Sequence, residues 1–316
     1  MKDNLTINEK FVGEVLAKVT RGDLVESLHL GHLIVLNADG STYLSKGSPE
    51  LPIYPRSAIK SLQAAAMLKA GLEVELKELA MICASHSGSQ NHIDLVTKML
   101  TSRDISMSQL INSVDKPLGE KEKISWGAKP ASQLAQNCSG KHAGMLITCQ
   151  QNSWDMKSYL DLDHPLQVAI KNEIEELSGE KVSAVSVDGC GAPLFAISLI
   201  GLARAIANLV KSEDDIYQQI VSACTKYPEL VAGDGRLTTR MMQAVSGLFM
   251  KEGAEGVQVS ALRDGRVIAI KIIDGSWRPV APIIMEIFKR WGVEMPDESV
   301  KIYGGSSVIG EVIANI

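Results

Sequence analysis

The pattern of apolar and polar positions predicts strands near the two ends of the chain and helices between them. Residues 33–37 form an apolar run, followed by Ala38-Asp39-Gly40-Ser41 and a second short run over 42–45. This reads as strand, tight turn, strand. The pattern returns late in the chain, where 257–262 and 267–273 flank Arg263-Asp264-Gly265-Arg266. Between these hairpins the periodicity turns helical. Residues 58–70 are rich in Ala, Leu, Met and Lys and are closed by Gly71. Further helices are expected over 75–84, 94–100, 165–177, 203–210, 216–226, 239–249 and 281–291. No internal repeat or long linker interrupts them. The fold class that follows is α/β, strictly α+β: one antiparallel sheet built from both chain ends, about 10–60 and 180–316, with a mostly helical insert over about 61–180.

Composition narrows the function. The chain has 316 residues, 45% of them hydrophobic, which is enough for a core without disulfide or metal staples. With 32 basic and 37 acidic residues the net charge is −5, so no nucleic-acid partner is expected. The stretch 1–10 is polar, and no apolar run approaches the ~20 residues of a membrane span. Neither an export signal nor a membrane partner is expected. Cys83, Cys138, Cys149, Cys190 and Cys224 are scattered and odd in number, which points to reduced thiols and a cytoplasmic location.

Several clusters could carry chemistry. In Pro55-Arg56-Ser57-Ala58-Ile59-Lys60, Ser57 and Lys60 are three apart and share a face if both lie in a first helical turn. A serine hydroxyl needs a base to become a nucleophile, and a lysine with a depressed pKa can serve. The same four residues also suit a serine N-cap followed by a surface lysine. Cys83-Ala84-Ser85-His86-Ser87-Gly88-Ser89 gathers small and polar side chains where a helix opens into a loop. Asn137-Cys138-Ser139-Gly140-Lys141-His142 and Asp188-Gly189-Cys190-Gly191 set two thiols beside glycine turns. They could converge on one soft cation, with His142 the obvious third ligand and Lys141 a less usual one, or be two buried free cysteines. Lys271 stands inside the apolar run 267–273, either as a functional amine or as an edge-strand gatekeeper. The glycine-rich stretches 232–236 and 251–256 read as turns, and neither fits a phosphate-binding pattern.

Taken in order, these segments resemble the thermolabile, rhizobial-type L-asparaginase family, also called asparaginase II. The resemblance rests on Glu26-Ser27 with His29-Leu30-Gly31-His32, on 55–60, on 83–88, on 136–142 and on Asp188-Gly189-Cys190-Gly191-Ala192-Pro193. It continues through Val231-Ala232-Gly233 with Arg236, Lys251 with 253–257, and 269–272 with Asp274-Gly275. It implies a serine β-lactamase-like fold and hydrolysis of the side-chain amide of L-asparagine through a serine acyl-enzyme. It also implies two serine–lysine pairs, Ser57 with Lys60 and Ser85 with Lys271, and one Zn2+ held by Cys138, Lys141 and Cys190. Arg56 and Asp188 then face the substrate, with His142 beside them. Lys251-Glu252-Gly253 looks like the K-x-G of the wider superfamily, which keeps a glutaminase or a β-lactamase-like amidohydrolase as the rival reading. A zinc-dependent amino-acid binder without catalysis is the alternative from another class. Ser89 and Ser61 depart from the family pattern, where glutamate and proline are usual. A homodimer is the expected assembly.

Overall fold

The computed structural model describes residues 9–316, so the polar stretch noted at the start of the chain lies, up to residue 8, outside the described residues. The large sheet holds eight strands, all paired antiparallel. From the first part of the chain come β1 (Glu14–Arg21), β2 (Leu24–Leu36) and β3 (Thr42–Lys46). A second, three-stranded sheet is made of β4 (Pro52–Ile53), β5 (Ala184–Val187) and β6 (Pro193–Ser198). The large sheet is completed by β7 (Phe249–Gly253), β8 (Val257–Ala261), β9 (Val267–Ile272), β10 (Lys301–Gly304) and β11 (Ser307–Ala314). Its strand order is β10-β11-β1-β2-β9-β8-β7, with β3 also paired to β2. The expectation of one antiparallel sheet from both chain ends therefore holds.

Helices occupy the insert. They are α1 (Lys60–Lys69), α2 (Leu76–Ile82), α3 (Gln90–Thr101), α4 (Glu120–Trp126), α5 (Ser139–Gln151) and α6 (Pro165–Ser178). After β6 follow α7 (Leu199–Lys211), α8 (Asp215–Lys226), α9 (Pro228–Val231), α10 (Leu237–Ala244) and α11 (Val280–Arg290). The apolar stripe of α7 lies against β2, β8 and β9, and α11 packs on β1 and β11. Among the described residues no helix is long and apolar enough to cross a membrane.

Two helices lack an apolar stripe because they are buried all round. In α1 the run from Lys60 to Met67 is buried, and α5 is buried from Ser139 to Cys149. Close approach makes this possible. A Cβ on Gly140 would stand 2.2 Å from the Met81 carbonyl oxygen, and one on Gly144 2.7 Å from Ile82 Cγ1. Glycine thus lets α5 lie directly on α2. One expected boundary moves: the helix expected over 239–249 stops at Ala244, because Gly247 turns the chain at φ +73° and Phe249 starts β7.

Candidate active site

The site forms where the end of the large sheet meets the buried helices. β4 pairs with β6, and the chain then enters a 3-10 turn, Arg56–Ile59, that runs into α1. Arg56 has φ +53°, a left-handed conformation that a side-chain-bearing residue adopts at a cost. Edge strand β7 presses on this turn: a Cβ on Gly253 would lie 2.4 Å from the Pro55 carbonyl oxygen. Ser57 is thereby held, half-buried, on the seam between α1 and β7.

The loop after α2 brings the second serine. The Ser85 amide donates to Val231 O at 2.9 Å, the His86 amide donates to Asn137 O at 3.1 Å, and Arg236 Nη1 donates to Ser85 O at 2.9 Å. Lys60 gives its amine to Ala84 O at 2.5 Å, Ser85 Oγ at 3.2 Å and Cys138 Sγ at 3.0 Å. Lys251, in β7, donates to Ser85 Oγ at 2.9 Å and to Glu252 O at 2.8 Å. The buried Ser85 hydroxyl therefore lies between two amines. Burial pulls the Lys251 pKa down to about 7, aided by the charges of Lys60 and Arg236 and opposed by Glu252.

This arrangement departs from the pairing of Ser85 with Lys271 implied by the resemblance. Lys271 gives its amine to the carbonyls of Glu255 and Ile272. The reason is topological. Strand β7 ends the sheet and faces the helical insert, whereas β9 lies two strands further in, with Lys271 opposite Val257 and His32. Lys251, read in the sequence only as part of a K-x-G resemblance and a glycine-rich turn, is the amine at Ser85. Its signal was a lysine in the run Phe249-Met250-Lys251-Glu252-Gly253, which has no β-branched residue to mark it as a strand.

The thiols also converge. Cys138 caps α5 and Lys141 follows three residues later, while Cys190 sits in the turn after β5. Lys141 Nζ donates to Cys190 Sγ at 3.3 Å. The Cys138 thiol hydrogen bond, with help from Lys141, brings the Cys190 pKa down to about 5, and Cys138 keeps the shared proton at about 12. Burial works against the charge on Lys141, but the sulfur atoms and Asp188 outweigh it and raise its pKa. Asp188 accepts from Arg56 Nε at 2.6 Å. Burial opposes its charge too, and Lys141 and Arg56 together pull its pKa below the usual carboxylate range. His142 is buried and its pKa is depressed by desolvation, so the ring is neutral. Its Nδ1 lies 2.8 Å from the Tyr159 hydroxyl, and its Nε2 has no partner. Among the described residues no three His, Cys, Asp or Glu side chains are grouped to hold a metal ion. The cluster described here has two thiols and a lysine.

Comparison with known proteins places the chain in a family of hydrolases acting on amides. The L-asparaginase II family model matches residues 17–308, and the chain belongs to that family. Comparison with curated proteins gives no match. Among solved structures, a beta-lactamase from Mycobacterium bovis is similar at 12% identity and a TM-score of 0.48, over 83% of this chain and 94% of that one. Mglu in its tris and glutamate form is similar at 15% identity and a TM-score of 0.47, over 84% of this chain, which spans 60% of its length.

Proposed function

We propose that the protein hydrolyses the side-chain amide of L-asparagine to L-aspartate and ammonia through an acyl-enzyme on Ser57. The observation that carries this reading is the Ser85 hydroxyl held between Lys60 and Lys251, beside the turn that presents Ser57. Ser57 is half-buried, whereas Ser85 is buried and engaged by both amines, which suits a proton relay better than a nucleophile. Ser57 Oγ attacks the amide carbon, and its proton enters the Lys60–Ser85–Lys251 chain. With a pKa near 7, Lys251 has a neutral fraction able to take up that proton. The carbon–nitrogen bond breaks, the chain returns the proton to the leaving nitrogen as ammonia departs, and water then hydrolyses the ester. Backbone N–H groups at Ser57 and along the outer edge of β7 are the donors available to the oxyanion. Asp188 is matched to the substrate α-amino group, and Arg56 to the α-carboxylate.

The donor set also supports one Zn2+ per chain on Cys138, Cys190 and Lys141. A thiol whose pKa is lowered to about 5, a second thiol beside it and a lysine amine that would lose its proton to the metal make up that donor set. Bound there, the metal supplies positive charge that orients the amino acid. The five buried, free cysteines agree with a reducing, cytoplasmic location, and the homodimer is checked by sedimentation.

The test is ammonia release by the purified protein from L-asparagine, with L-glutamine and a penicillin as comparators. The reading predicts turnover of asparagine and its loss in Ser57→Ala. Full turnover by Ser57→Ala, or activity confined to glutamine or penicillin, overturns it.

A further inference from the structure

Behind Arg56 a cleft of about 690 Å³ opens between the small sheet and the end of β9. Tyr54, Val187 and Leu194 contribute its apolar wall, and Arg56, Glu255 and Lys271 its charged groups. The chemistry proposed above leaves Lys271 idle. Yet this lysine is only 8% exposed and sits in a strand whose other side chains are apolar. Its ammonium has three N–H donors. Two are taken by the carbonyls of Glu255 and Ile272, and among the described residues no carboxylate pairs with it. A buried cation held by two carbonyls, with Glu255 and Asp274 acting on it without a direct ion pair, is costly. Arg56, on the same cleft, uses Nε for Asp188 and leaves its terminal nitrogens to face a ligand.

We propose that Lys271 reads the α-carboxylate of the amino-acid substrate, with Arg56 completing the anion site at the mouth of the cleft. This rests on the reading of the enzyme as an amidohydrolase of asparagine and gives Lys271 a binding role in place of a catalytic one. A carboxylate has acceptors for both the spare lysine N–H and the guanidinium edge, so two cations on adjoining elements fix its position. Fixing that end orients the side-chain amide for attack. Glu255, on the same wall, disfavours a dianion such as phosphate and leaves a singly charged carboxylate as the better fit.

The experiment compares wild type with Lys271→Met on two substrates, L-asparagine and L-asparaginamide, in which the carboxylate is replaced by an uncharged amide. The expected result is a KM for asparagine raised about tenfold or more with kcat little changed, and no further rise for asparaginamide. Lys271→Arg, which keeps the charge, recovers most of the affinity for asparagine. An unchanged KM for asparagine, or an equal rise for both substrates, overturns the assignment, because a purely structural lysine cannot tell the two apart. If Lys271→Met does not fold, Lys271→Gln removes the charge and keeps a donor for the carbonyls. Absence of asparagine turnover in wild type would instead count against the amidohydrolase reading, so the two failures are distinct.

Discussion

Lys251 and Cys190 are the residues whose protonation sets what the pocket can do near neutral pH. Lys251 acts as a base only when neutral, and its pKa lies near 7. The rate constant kcat/KM should therefore climb as pH rises from about 6 to 8 and then level off. Lys251→Met should lower kcat by about 10²–10⁴-fold and remove that rising limb. Lys271→Met should keep it, and a pH profile unchanged in Lys251→Met would contradict the relay. The Cys190 pKa is lowered as well, so its thiolate persists down to about pH 5. Metal analysis of protein purified without chelator should find about one zinc per chain, and none in Cys190→Ser. Equal zinc in both proteins would place the metal elsewhere. Most of these side chains were legible as motifs, because Ser57, Lys60, Ser85, Cys138, Lys141, Asp188 and Cys190 stand in short dense clusters. The choice between Lys251 and Lys271 was not. Both sit in runs rich in apolar residues, and which one reaches Ser85 depends on which strand ends the sheet.

Elements marked by a tight turn or a one-sided apolar stripe were easy to read, and those without such a mark were not. The hairpins β2–β3 and β8–β9 showed themselves through their Asp-Gly turns, and α7, α8 and α11 through their stripes. Helix α5 has no stripe to detect, since both its polar start and its apolar middle are buried. Strand β1 and the first half of β2 were missed for another reason. Their pairing is broken by shifts between Val15 and Ala17 and between Val19 and Thr20, and residues 24–28 are exposed. The packing of α5 makes a prediction at this scale. Gly140→Ala forces a Cβ against the Met81 backbone, whereas Gly144→Ala meets the Ile82 side chain. Urea denaturation should show Gly140→Ala losing about 1–3 kcal/mol and Gly144→Ala less. Gly140 also lies between Cys138 and Lys141, so its variant should lose zinc along with stability. A smaller loss for Gly140→Ala than for Gly144→Ala would contradict the α2–α5 geometry.

At the scale of the whole molecule, the pocket exists because distant parts of the chain meet where the sheet ends. The turn at 56–59, the loop at 85, the start of α5, the turn at 188–190 and strand β7 each supply one or two groups. None has a use for the chemistry alone, which explains why a single motif said little and their collinear order said much. It also places Ser57 on the half-buried side of the seam and Ser85 on the dry side. The most direct test is to stop the reaction with L-asparagine by acid within the first turnovers and to map the modified peptide by mass spectrometry. An aspartyl group on the peptide carrying Ser57, absent from Ser57→Ala, is the predicted result. An aspartyl group on Ser85, or none at all during full turnover under conditions that trap esters, would contradict it.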